Sequence, residues 1–126
     1  MTGERAGESE VADAESEVVD SGPEAADSES EDTTTILDEL FAVVEDRKET
    51  LPEDSYTASL FSHEKGENAV LEKLGEETTE LLLAAKDDDR EEIAHESADI
   101  VYHLLVLLSM KDMDLADLRA ELRERR

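Results

Sequence analysis

Not one Leu, Ile, Phe, Tyr or Trp occurs before Ile36, and this confines any hydrophobic core to residues 36–126. Residues 1–35 instead hold 12 acidic residues and a single basic one, Arg5. A segment so charged and so poor in apolar area cannot offset its chain entropy, so 1–35 is predicted to be a disordered acidic tail. The remaining 91 residues make one small domain. An all-helical architecture, or association with further copies, would help so short a chain to bury enough surface.

Within that domain the apolar residues recur at intervals of three and four, the period of an α-helix. Thr33, Thr34 and Thr35 offer N-caps for a helix with Ile36, Leu37, Leu40, Val43 and Val44 on one side, and Leu51-Pro52 interrupts it. Ser55 to Phe61 reads as a short helix or an ordered turn. Gly66 precedes a long pattern from about Glu67 to Lys86. Asp87-Asp88-Asp89 then makes a turn and supplies acidic caps for a helix from about Asp89 to Met110. Asp114 starts a last helix on Leu115, Leu118 and Leu122. No alternating strand pattern and no internal repeat stands out. The fold class is therefore all-α, with four to five helices packed as a bundle.

Two of these helices carry acids where apolar residues belong. On a wheel of about 100° per residue, Glu77 and Glu80 fall within the stripe of Val70, Leu74, Leu81 and Ala84. Glu96 falls among Ile93, Ile100, His103 and Leu107, with Asp99 at the edge. Most acids on a helix are solvated charges, but four facing a core are costly unless something positive neutralises them. Lys73 lies near the stripe and Lys86 a turn beyond it, and two lysines do not balance four acids. A hard divalent cation does: carboxylates at i and i+3 on adjacent helices suit Mg²⁺, with Mn²⁺ as a substitute. A di-iron bundle needs Glu-x-x-His on two helices. Only Glu92-Ile93-Ala94-His95 supplies one, and His95 is read as pointing away from the Glu96 stripe. The alternative metal chemistry is cation-assisted cleavage of a phosphoanhydride, in which the ion bridges phosphates and orients an attacking water.

Composition narrows the partners. Against 12 Lys+Arg stand 37 Asp+Glu, a formal net charge of −25. That balance argues against a nucleic-acid surface, which needs a basic stripe, and against anionic membranes. With no cysteine, disulfides, zinc–thiolate sites and thiol nucleophiles are excluded. No apolar run approaches the roughly 18 residues of a membrane span, and no basic-then-apolar leader opens the chain, so a soluble cytoplasmic protein is expected. The domain itself holds 25 acidic and 11 basic residues, and the chain only five lysines. Such a surface points to work in concentrated salt, where screening reduces self-repulsion.

Glu76-Glu77-Thr78-Thr79-Glu80 followed by Glu96-Ser97-Ala98-Asp99 resembles the EExxE…ExxD signature of the all-α nucleoside-triphosphate pyrophosphohydrolases. Three stretches narrow the resemblance to the phosphoribosyl-ATP pyrophosphohydrolase family. They are Ser55-Tyr56-Thr57-Ala58-Ser59-Leu60-Phe61, then Lys73-Leu74-Gly75-Glu76-Glu77 through Ala84-Ala85-Lys86, then Ala98-Asp99-Ile100-Val101-Tyr102-His103-Leu104-Leu105-Val106. The likeness covers about Ile36 to Arg126. It implies hydrolysis of 1-(5-phosphoribosyl)-ATP to 1-(5-phosphoribosyl)-AMP and pyrophosphate, the second step of histidine biosynthesis. Glu77, Glu80, Glu96 and Asp99 would hold Mg²⁺. Glu76 would stand behind them or orient and deprotonate the attacking water, which makes Glu76, Glu77 and Glu80 the catalytic group. Lys73 and Lys86 would contact phosphate, and Ser55, Tyr56 and Thr57 would line the substrate pocket. The cyclohydrolase that uses the product would be a separate protein. One departure stands out: where family members carry a basic residue just after the glycine that opens the long helix, this chain has Asn68 and Ala69, and Glu72 beside Lys73.

The remaining residues admit two readings each. Tyr56 stacks on a base or packs in the core, and His103 contacts metal or substrate or is a hydrogen-bonded core histidine. His63 and His95 read as surface residues. Gly75, mid-helix, either lets another helix approach closely or is merely tolerated. Leu104 to Leu108 is too continuous for one stripe, which suggests burial on two sides and hence a homodimer. A housekeeping pyrophosphohydrolase acting on NTPs or dNTPs shares the acid signature and is the alternative activity. An acidic helical interaction module is the alternative without catalysis, and it predicts no stabilisation by Mg²⁺.

Overall fold

The computed structural model describes residues 33–126, with side chains from Ile36 onward. The acidic tail expected over 1–35 lies outside the described residues as far as residue 32. Five α-helices and no strand occur among the described residues: α1 Thr33–Thr50, α2 Tyr56–Phe61, α3 Glu67–Lys86, α4 Arg90–Met110 and α5 Leu115–Glu124. Thr33 to Thr35, expected as caps, already belong to α1.

Each boundary has a local cause. Arg47 and Lys48 close α1, where cations favour the negative end of the helix dipole. Leu51 then turns left-handed, with φ 47°, and Pro52 cannot continue the helix. Ser55 caps α2 by accepting a hydrogen bond from the Ala58 N–H at 3.0 Å, which settles the ambiguous segment as a helix. Gly66, at φ 63°, supplies the positive dihedral from which α3 starts. Between α3 and α4, Asp88 takes φ 58° and Asp89 accepts from the Glu92 N–H at 3.2 Å. Aspartate tolerates the left-handed region better than most residues, so the Asp87-Asp88-Asp89 run both turns the chain and caps the next helix. Asp114 and Asp117 form a reciprocal capping box at the start of α5.

Helices α3 and α4 pack as a long hairpin, and α1 and α2 cover one side of it. The core is small and draws on all four: Val44 from α1, Leu60 from α2, Val70 from α3, and Tyr102 and Val106 from α4. Each such side chain contributes about 1.5–3 kcal/mol on burial, so a domain of this size has few to spare. Lys48 closes the far end of α4, donating to the Ser109 carbonyl at 2.8 Å and to Asp112 at 3.2 Å. Arg119 pairs with Asp38 and ties α5 back to α1.

Two expectations about burial change. By length and hydropathy α4 could cross a membrane, contrary to the reading that no segment comes near. Its Tyr102, His103, Leu105, Val106 and Ser109 are buried by neighbouring parts of the chain, so part of this hydropathy serves the core. Leu105 and Val106 are fully buried within one chain, so the Leu104–Leu108 run is largely covered without a partner. The uncovered apolar residues of the hairpin are Leu71, Leu82, Leu83 and Val101.

Candidate active site

The α3–α4 hairpin brings the two acid pairs together. Residues three apart on a helix differ by about 60° around its axis, so one member of a pair can face inward while the other stands toward the rim. On α3, Glu77 is 3 % exposed whereas Glu80 is exposed, which corrects the expectation that all four acids are inward. On α4, Glu96 and Asp99 are both buried, at 7 % and 3 %. Burial, with Asp99, Glu80 and Glu77 close by, pushes Glu96 up to about 7, and only His95 opposes them. Among the described residues, no lysine or arginine acts on Glu96.

Glu77 shows most directly what the cluster lacks. Its Oε1 accepts from His103 Nδ1 at 2.8 Å, while its Oε2 is buried with no hydrogen-bond partner among the described residues. An orphaned carboxylate oxygen costs more than a missing neutral bond. A hard divalent cation fits these residues, because it satisfies several anionic oxygens at once.

Behind the acids lies a buried relay. His103, fully buried, has Nδ1 near two acceptors, Glu77 Oε1 and the Asp99 carbonyl at 3.1 Å, so Nδ1 carries the proton. In the neutral ring, Nε2 then accepts from the Tyr56 hydroxyl at 3.1 Å. Tyr102 packs edge-on against His103 with ring centroids 4.8 Å apart, and its hydroxyl bonds Thr57. The Ser-Tyr-Thr segment of α2 is thus joined to the Tyr-His pair of α4. Of the residues expected to line a substrate pocket, Ser55, Thr57 and His103 are buried, and His103 bonds the Tyr56 hydroxyl.

Tyr56 does line a cleft of about 240 Å³ between α2 and α3, together with Ser59, His63, Lys65, Lys73 and Glu76. Lys73 and Glu76 thus line the same cleft as Tyr56. Lys86 lies outside it and ends α3, about 20 Å along the helix from Lys73 at 1.5 Å per residue. His63 and Lys65 had no part in the sequence reading of the pocket. Lys65 precedes Gly66 and pairs with Glu72 at 3.0 Å, so a cation does stand beside the glycine, on the side opposite to Asn68 and Ala69. His95 was read as turned away, yet its Nε2 is 3.3 Å from Asp99 Oδ2. The spacing of i to i+4 between them was the available signal.

An all-helical fold with carboxylates gathered on one hairpin, beside a lysine-lined cleft, is that of an all-α hydrolase of the pyrophosphate bond. Residues 37–126 match the model of the phosphoribosyl-ATP pyrophosphohydrolase family. The phosphoribosyl-ATP pyrophosphatase of Haloarcula marismortui is 82 % identical over 97 residues, covering 77 % of this chain and 99 % of that protein. The namesake from Natronomonas pharaonis is 81 % identical over 95 residues, covering 75 % and 94 %. A more distant one, from Clostridium acetobutylicum, is 48 % identical over 94 residues, covering 75 % and 84 %. The chain belongs to the phosphoribosyl-ATP pyrophosphohydrolase family.

Proposed function

We propose that this chain hydrolyses 1-(5-phosphoribosyl)-ATP to 1-(5-phosphoribosyl)-AMP and pyrophosphate, the second step of histidine biosynthesis, as a soluble cytoplasmic homodimer. Family membership supports the substrate. The observation that carries the chemistry is Glu77 Oε2, buried without a partner among other carboxylates. Glu77, Glu80, Glu96 and Asp99 would hold Mg²⁺ or Mn²⁺. When bound, that ion supplies charge neutralisation at the phosphates and a more acidic water.

The chain's own residues do the rest. Lys73 and Lys65 face the cleft and attract the polyphosphate, while the Tyr56 ring, fixed by His103, offers a flat apolar surface to a base. Glu76, exposed at the cleft beside Glu77, orients the attacking water and takes its proton. The water oxygen bonds to phosphorus as the bridging P–O bond between the α and β phosphates breaks. Lys86, at the other end of α3, would meet phosphate only from the far side of the acid cluster. Exposure of Leu82 and Leu83, both 60 %, supports a second copy covering this hairpin. The product passes to a cyclohydrolase made as a separate protein.

The test is pyrophosphate release from phosphoribosyl-ATP at molar salt with Mg²⁺, with dNTPs in parallel. Phosphoribosyl-ATP is the preferred substrate, and Glu80→Gln, at an exposed position that leaves the fold intact, lowers turnover by about 10- to 100-fold. Preference for dNTPs would retain the acid cluster and remove the histidine pathway.

A further inference from the structure

One donor beside the acids has no role in the reading above. His95 Nε2 stands 3.3 Å from Asp99 Oδ2, and donor atoms of His95, Glu96 and Asp99 all lie within 4.8 Å of one another. Around an octahedral ion about 2.1 Å from its ligands, neighbouring donors are about 3.0 Å apart and opposite ones about 4.2 Å. The trio is close to that spacing before any ion draws it in. The helix enforces it, since residues four apart share one side, and the His95 side chain is only one-third exposed. From the facing helix, the buried Oε2 of Glu77 adds an oxygen with no hydrogen-bond partner.

We propose that His95 is a nitrogen ligand of this centre, so that the site prefers a first-row transition ion such as Co²⁺ or Zn²⁺ to Mg²⁺. The inference rests on the carboxylate centre proposed above. Imidazole gains far more from these ions than from Mg²⁺, which favours oxygen ligands and retains its waters. For Nε2 to ligate, the ring proton sits on Nδ1. The Glu-x-x-His stretch from Glu92 to His95 therefore contributes its histidine to a mixed nitrogen–oxygen site, without the second copy that a di-iron bundle requires.

Calorimetric titration of the metal-free protein with Co²⁺ and with Mg²⁺, repeated on His95→Ala, tests this. The Co²⁺ dissociation constant should rise about tenfold or more in the variant, the scale on which residues around a metal act, while the Mg²⁺ constant moves far less. Spin-echo spectra of the Mn²⁺-loaded protein should show modulation from a bound imidazole nitrogen that His95→Ala abolishes. Equal changes for both ions, no change for either, or modulation that survives the substitution overturns the proposal and leaves the carboxylate centre standing. If the parent chain binds none of these ions, the carboxylate centre itself falls and His95 with it.

Discussion

At Glu96, burial acts first and the neighbouring carboxylates of Asp99, Glu80 and Glu77 add to it, so the folded side chain titrates near 7 against an ordinary value of 4.5. Between those values the folded protein holds a proton that the unfolded chain releases. The associated stability is complete below the ordinary value and is lost as pH rises through the folded one, up to roughly 3 kcal/mol. A cation bound at this cluster would compete with that proton for the same oxygens. Cation-free protein is accordingly expected to melt at falling temperature from about pH 5 to pH 8. Mg²⁺ should restore the loss at the upper end. Calorimetry in buffers of different ionisation enthalpy should show about one proton released per ion near pH 6, fading above pH 8. Glu96→Gln should abolish both trends; if it leaves them intact, another group governs the centre.

Among the elements, α3 has a face that no described residue covers. Among the described residues a Cβ added at Gly75 would meet no heavy atom within 4 Å, so none of these helices makes the close approach that a mid-helix glycine suggests. Leu71 and Leu82, one turn before and two turns after, are exposed along the same helix. Gly75→Ala is expected to stabilise dilute protein by about 1 kcal/mol through helix propensity, or about 4–8 °C in a domain of this size. If a second copy packs on this face, the added methyl weakens self-association in sedimentation, so the two measurements move in opposite directions.

The elements themselves were largely legible. The 3.6-residue period placed α3 at Glu67–Lys86, and the aspartate turn placed the start of α4, because both signals are local in the chain. The four acids were legible for the same reason. A wheel gives an angle, however, and not a depth, so it set Glu80 inside with Glu77. Nor could it show His95 folded back onto Asp99, which depends on a side-chain rotamer. Lys65 escaped because it lies in an irregular stretch before Gly66, where no period fixes direction.

For the whole molecule, charge decides the setting. Residues 36–126 carry 25 acidic and 11 basic residues. Ion pairs such as Lys65 with Glu72 and Lys111 with Glu67 are largely exposed, and each contributes about 0–1 kcal/mol. Repulsion among the many acids would oppose them at low salt and be screened at high salt, where the Debye length shrinks from about 10 Å at 0.1 M to 3 Å at 1 M. The melting temperature should therefore climb between about 0.1 M and 2 M NaCl, and a flat profile would show that the acidic surface has no stabilising use for salt.

The placement of all four carboxylates on one hairpin also bears on how the chain reaches its fold. Glu77 and Asp99 are joined through a single aspartate turn, so the loop to be closed is short and its entropy cost low. By contrast, α1 meets α4 only across a much longer stretch of sequence, as in the contact of Lys48 with Ser109. Contacts of low sequence separation tend to form first, and a bound ion stabilises a transition state in which its ligands have already met. In stopped-flow refolding, Mg²⁺ should therefore quicken the folding limb as well as slow the unfolding one. An effect on unfolding alone would mean that the hairpin closes last. A faster folding limb would make the ion a nucleus for the chain, in place before α1 has docked.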